Sequence, residues 1–162
     1  MKYYEAPQKI DNDSTVKLFL AGTIDMGKDK SGWHLKVQTA LSDKTNLSII
    51  NPKRADWDNT WTQSITDKNF SEQVNWEQSS IELSDIVMVN FTKDSFSPIT
   101  LLELGKLLGD IGNPKMKKHQ LYVICPEGFY RKGNVDIMCQ RAGIKVYESL
   151  DEVIGILQKT LK

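Results

Sequence analysis

The sequence predicts an α/β domain whose mainly parallel sheet is covered by helices on both faces. Three observations predict it. Short apolar runs such as Ile86-Val87-Met88-Val89 recur along the chain without the in–out alternation of a half-exposed strand. Segments with apolar residues at helical spacing separate them. Glycine, proline or asparagine closes most runs, so strand and helix alternate in chain order.

Residues 1–15 are polar, rich in Asp, Asn, Lys and Gln, and read as a loose arm before a single domain over 16–162. A strand over 16–21 ends at Gly22, and a helix over 33–41 carries Trp33, Val37, Ala40 and Leu41 on one side. A second strand, 47–50, stops at Asn51-Pro52. A polar loop through Trp61 leads to a helix whose apolar face is marked by Phe70, Val74 and Ile81. A third strand spans 86–91. The helix after it has Ser97 as N-cap and Pro98 at its first position, and runs to 111. A fourth strand, 121–124, is closed by Pro126 and Gly128. A helix over 134–142 leads to a short strand, 144–147. Ser149-Leu150-Asp151-Glu152 caps the final helix, striped by Val153, Ile156, Leu157 and Leu161.

The chain has 162 residues, with 21 basic and 21 acidic side chains. That balance gives no signature of a nucleic-acid polymer or of a membrane surface as partner. No apolar run is long enough to span a bilayer, and the N-terminus lacks a signal-peptide core, so a soluble cytoplasmic protein is expected. Cys125 and Cys139 have no metal-type spacing. Buried thiols are the simpler reading and a disulfide the other. No metal or cofactor motif appears: the glycine turn Ala21-Gly22-Thr23-Ile24-Asp25-Met26-Gly27 lacks both the dinucleotide and the triphosphate-loop spacing.

In parallel sheets the ligand lies beyond the carboxyl ends of the strands. That rule selects 22–27, 51–61, 91–103 and 126–134. Two acids near this rim stand out. Glu77 takes the i+7 place on the Phe70 face, and Glu103 is hemmed in by Leu101, Leu102, Leu104 and Leu107. A buried carboxylate costs several kcal/mol on an order-of-magnitude scale unless paired, so two on packed faces suggest a site. The plain alternatives are a helix-start acid favoured by the macrodipole for Glu103 and a solvent-facing boundary residue for Glu77. The loop with Asp56, Trp57, Asp58 and Trp61 either stacks on a flat ring and reads its edge, or is pinned by its indoles to the core.

Several ordered segments resemble the nucleoside 2-deoxyribosyltransferase-like family. They are Leu18-Phe19-Leu20-Ala21-Gly22-Thr23-Ile24-Asp25-Met26-Gly27, Asn51-Pro52-Lys53-Arg54 with Asp56-Trp57-Asp58, Gln73-Val74-Asn75-Trp76-Glu77, 97–105, and 125–135. The resemblance implies a flavodoxin-like, Rossmann-type three-layer sandwich on a five-stranded sheet. It also implies cleavage of an N-glycosidic bond with Glu103 as nucleophile, assisted by Glu77. Gly22, Asp25, Asp56, Trp57, Asp58, Ser97, Arg131 and Asn134 are the matching substrate-binding positions, with Asp56 or Asp58 as a proton source for the leaving base. The expected partner is a small nucleoside or nucleotide. Asn134 would reach a neighbouring subunit's sugar, which implies a homo-oligomer with a shared site. Two departures matter: Phe19 replaces a tyrosine that bonds the nucleophile, and Ser97 replaces an aspartate six residues before it. Ser97 matches instead the serine of related nucleotide N-hydrolases, which binds a 5′-phosphate. Transfer, nucleotide hydrolysis, attack on an NAD-like or cyclic-nucleotide bond, and a non-catalytic nucleotide sensor are therefore all open to such a chain.

Overall fold

The computed structural model describes residues 1–24 and 32–162. Among these, strands and helices follow in the order β1 (Lys2–Glu5), β2 (Val16–Gly22), α1 (Trp33–Ala40), β3 (Leu47–Asn51), α2 (Lys68–Leu83) and β4 (Ile86–Asn90). Then come α3 (Pro98–Asp110), β5 (Gln120–Ile124), α4 (Lys132–Arg141), β6 (Val146–Tyr147) and α5 (Leu150–Thr160). The strands pair in parallel throughout, in the order β1-β3-β2-β4-β5-β6. β2 is flanked by β3 on one side and β4 on the other, so the direction of winding reverses between β2 and β4. The rim crevice falls there.

Alternation along the buried strands divides the core into two layers. Leu18 and Leu20 of β2 with Ile86 and Met88 of β4 pack under α1 and α5, where Trp33, Val37, Val153 and Leu157 are buried. Phe19, Ala21, Val87 and Val89 face the other way, onto Ile81 of α2, Leu104 and Leu107 of α3, and Val135 and Cys139 of α4. This is the three-layer, flavodoxin-like sandwich the sequence predicts, with six strands in place of five. No helix among the described residues is long and apolar enough to cross a membrane. Both cysteines are buried and free.

The sixth strand, β1, comes from the segment read as a loose arm. Its polarity is that of an edge strand: Tyr4 is buried beside Ile50, while the Lys2 ammonium donates to Asp11 at 2.9 Å and Asp13 at 2.6 Å. The acids that make the segment look disordered are thus partners of the strand. The face of α2 also differs from its prediction. Val74 is 38% exposed and Phe70 only half-buried, and the residues facing inward are Gln73, Ser80 and Ile81, with Glu77 partly covered among them. An inward face so polar packs poorly as hydrocarbon and must satisfy hydrogen bonds instead.

At the winding reversal, Gly22 pairs with Asn90 at the carboxyl ends of β2 and β4. A Cβ on Gly22 would lie 2.4 Å from the Asn90 carbonyl oxygen and 2.8 Å from the Trp33 ring. Backbone on one side and a buried indole on the other leave no room to yield. Gly22→Ala is therefore expected to destabilise the fold by about 2–3 kcal/mol, read as a lowered urea midpoint at unchanged slope. A midpoint equal to wild type would refute the close approach.

Candidate active site

The start of α3 is anchored to the rim by hydroxyls. Ser97 occupies the N-cap position but sits at φ 41° and makes no cap bond to the helix. Its Oγ instead shares hydrogen bonds with Thr23 Oγ1 at 2.7 Å and Ser95 Oγ at 3.0 Å. Ser95 donates to the Thr92 carbonyl, the Thr92 N–H donates to Thr23 Oγ1, and the Thr23 N–H donates to the Asn90 carbonyl. Thr100 adds a bond to the Gly22 carbonyl at 3.0 Å. These contacts fix α3 against the ends of β2 and β4, and so fix the height of Glu103 below the rim.

Glu103 is 9% exposed, on the same inward face as Thr100, Leu104, Leu107 and Leu108. Its carboxyl makes no hydrogen bond among the described residues. Phe19, fully buried in the same layer, has no hydroxyl to offer. Burial and, second, the charge of Glu77 push the Glu103 carboxyl up to about 8. Glu77 is also raised by burial, but a hydrogen bond from Gln73 opposes the rise. The two acids therefore divide their roles at neutral pH: Glu103 retains the proton and Glu77 is the better anion.

Gln73 sets that division. Its Nε2 donates to the Pro52 carbonyl at 2.9 Å and to Glu77 Oε1 at 2.8 Å. Both partners are acceptors, so the amide orientation is fixed and Oε1 is left buried without a donor. The residue ties the end of β3 to the acid on α2.

The remaining expected positions lie apart from the acid pair. Asp25 is outside the described residues. Asp56 is exposed and takes two bonds from Arg54, at 2.8 and 3.3 Å, which hold its carboxyl below the ordinary carboxylate value. Arg54 also reaches Glu72 and lies 5.0 Å from the Trp61 ring. Asp58 is lowered by its bonds from the Thr60 N–H and hydroxyl. Carboxylates held low in this way are poor proton sources, which favours the acid pair for that task. Trp57 is half-buried, 5.1 Å from Trp61, with its N–H on Asn59. The indoles thus pack with their own loop. Arg131 is exposed over Tyr130, whose ring meets Phe96 beside Ser97. Asn134 is exposed in the first turn of α4. No group of three metal-type ligands is present among the described residues.

Sequence reasoning missed Gln73, Thr23 and Ser95. Gln73 carries a legible signal, since a glutamine four residues before an acid meets it on a helix. The hydroxyls carry none, because they converge from separate loops.

Residues 15–129 match the family model described as nucleoside 2-deoxyribosyltransferase like. The match spans Gly22, Asp56, Glu77, Ser97 and Glu103 and stops short of Arg131 and Asn134. No curated protein gives a significant match to the chain.

The raised carboxyl also makes stability depend on pH. The unfolded chain releases the Glu103 proton near 4.5, and the fold holds it to about 8. The folded state thus binds more protons in that window, and stability falls as pH rises through it, by at most about 1.4 kcal/mol per pH unit. Urea midpoints of wild type and Glu103→Gln, taken from pH 4 to 9, should diverge in favour of the variant as pH rises. Parallel curves would show that the carboxyl is not shifted.

Proposed function

The chain belongs to the nucleoside 2-deoxyribosyltransferase-like family, and from that premise we propose that it cleaves the N-glycosidic bond of a deoxynucleoside or its 5′-monophosphate through a covalent glutamyl sugar. The observation that carries the reading is the buried Glu103–Glu77 pair, in which burial and the charge of Glu77 raise the Glu103 carboxyl to about 8. An oxocarbenium-like transition state needs an anion beside C1′, and the departing base needs a proton at its ring nitrogen. The pair holds both. Glu103 yields its proton to Glu77 and, as the anion, bonds C1′ on the face opposite the base. The electrons of the breaking C1′–N bond pass to the base, which takes a proton from Glu77 as it leaves. Attack by a second base gives transfer, and attack by water gives hydrolysis.

Ser97 favours the monophosphate as substrate. Its hydroxyl, with those of Thr23 and Ser95, converges where the first N–H groups of α3 lack a side-chain cap. Hydroxyls and a helix start suit a phosphate better than an aspartate would. Asn134 favours a shared site between subunits: it lies on an outward face of α4 with Ile137, 58% exposed, and Met138, 51% exposed. A face of that kind is suited to contact with a second copy. A cytoplasmic role in nucleotide salvage fits this chemistry.

Product chromatography with deoxynucleosides and their monophosphates, with and without a free acceptor base, tests the reaction. Glu103→Gln should lower kcat by at least about 10³-fold with the fold intact; an active variant would exclude the covalent route. The alkaline limb of kcat/KM should titrate near 8 in the free enzyme and move to lower pH in Glu77→Gln, where the repelling charge is gone. An unmoved limb would separate the two acids. Mixing inactive Glu103→Ala and Asn134→Ala proteins should restore about a quarter of wild-type activity if subunits share sites. No recovery after subunit exchange would exclude a shared site, and full activity of Asn134→Ala alone would place Asn134 outside it.

A further inference from the structure

On the sheet face opposite the acid pair, the ends of β4 and β5 and the starts of α1 and α5 enclose a cavity of about 280 Å³. Trp33, Ile124, Pro126 and Leu150 give it an apolar lining. Asn90, the last residue of β4, continues the Ile86–Met88 side of the strand and is directed into this layer. It is 3% exposed, yet its carboxamide makes no hydrogen bond among the described residues. Its amide atoms are not sealed from solvent and open onto the cavity, where a ligand can pair them in place of water.

A second observation stands beside it. Lys93, also on the lining, has no ion pair or hydrogen bond among the described residues. Its stem lies across Gly128, where a Cβ would come within 2.8 Å of Lys93 Cε and 2.9 Å of Cγ. Gly128, at φ 93°, thus gives the stem its track while the ammonium stays unpaired. The other charges on the lining have ion-pair partners: Lys36 pairs with Asp151 at 2.6 Å, and Glu148 with Lys132 at 2.7 Å, a lysine that also reaches Asp136 and Glu127. Lys93 is the one charged lining residue without an ion pair among the described residues.

We propose that this cavity binds a single-ring heteroaromatic carboxylate, its anionic group on Lys93, its ring amide edge on Asn90 and its ring plane against the apolar wall. A volume of about 280 Å³ suits a single ring, just below the roughly 300 Å³ at which drug-sized clefts begin. One ammonium matches one negative charge and so favours a carboxylate over a dianionic phosphate. A side-chain amide pairs in bidentate fashion with an adjacent N–H and C=O of a ring, as it does with a nucleobase edge. The site lies on the far side of the sheet from Glu103, so it is a second site and does not depend on the reaction assigned to the first.

Orotate carries both features and serves as the probe; benzoate lacks the amide edge, uracil lacks the charge, and inorganic phosphate lacks the ring. Proton–nitrogen correlation spectra of the full chain report on the Trp33 indole N–H and the Asn90 side-chain amide. Orotate at millimolar concentration should shift both signals and bind more tightly than the other three compounds. Lys93→Ala should weaken orotate about tenfold, with Lys93→Arg restoring most of the affinity. Asn90→Leu should remove the preference for orotate over benzoate. Unmoved Trp33 and Asn90 signals, equal binding of uracil, tighter binding of phosphate, or unchanged affinity in the exposed Lys93→Ala variant would each overturn the proposal.

Discussion

Two carboxyl groups on facing inner surfaces of α2 and α3 cannot both be charged without water. Burial alone raises each, and the ionisation of one raises the other further. Glu103 is thereby held protonated up to about 8, and the surrounding residues act on that constraint. Leucines on α3 withhold solvent from Glu103, and Phe19 withholds a hydroxyl. Gln73 gives its hydrogen bond to Glu77 alone of the two acids.

Holding such a pair requires a scaffold that does not relax around it. The ends of β2 and β4 supply one. Gly22 allows the two strands to meet without a side chain between them, and Thr23, Ser95, Ser97 and Thr100 fasten the start of α3 to the same point. Glu103 lies about 7 Å below that start at 1.5 Å per residue. Its depth comes from backbone anchoring and not from bonds of its own, which leaves the carboxyl free of competing partners.

The layered fold was legible because fully buried strands show as plain apolar runs, and Glu103 was legible because leucines adjoin it in the chain, although Leu104 and Leu107 are buried while Leu102 is 71% exposed. Other features were hidden for physical reasons. β1 is an edge strand whose lysine pairs with Asp11 and Asp13, so its composition resembles that of a loose arm. The inner face of α2 is polar, and an apolar-periodicity reading selects Val74, which is exposed, over Gln73, which is buried. Ser97 is recognisable as a cap by position, but its left-handed backbone and its bonds to Thr23 and Ser95 depend on residues brought from elsewhere in the chain.

In the proposed reaction, the division of labour between the acids and the rim would decide the fate of a glycosyl intermediate. The acid pair supplies charge and a proton but no contact that distinguishes water from a base. Asp56, Trp57 and Asp58 are engaged within their own loop, and Arg131 and Asn134 face outward around the start of α4. Retention of the acceptor thus falls to groups above the acids and not to the acids themselves. In the proposed reaction, a covalent sugar at Glu103 awaits whichever nucleophile those groups admit, and a base must stay bound longer than water takes to enter. The hydroxyl cluster at Ser97 would hold the sugar's end of the substrate and do nothing to hold a base. Within the proposed reaction, that asymmetry would favour hydrolysis over exchange unless a partner subunit closed the site.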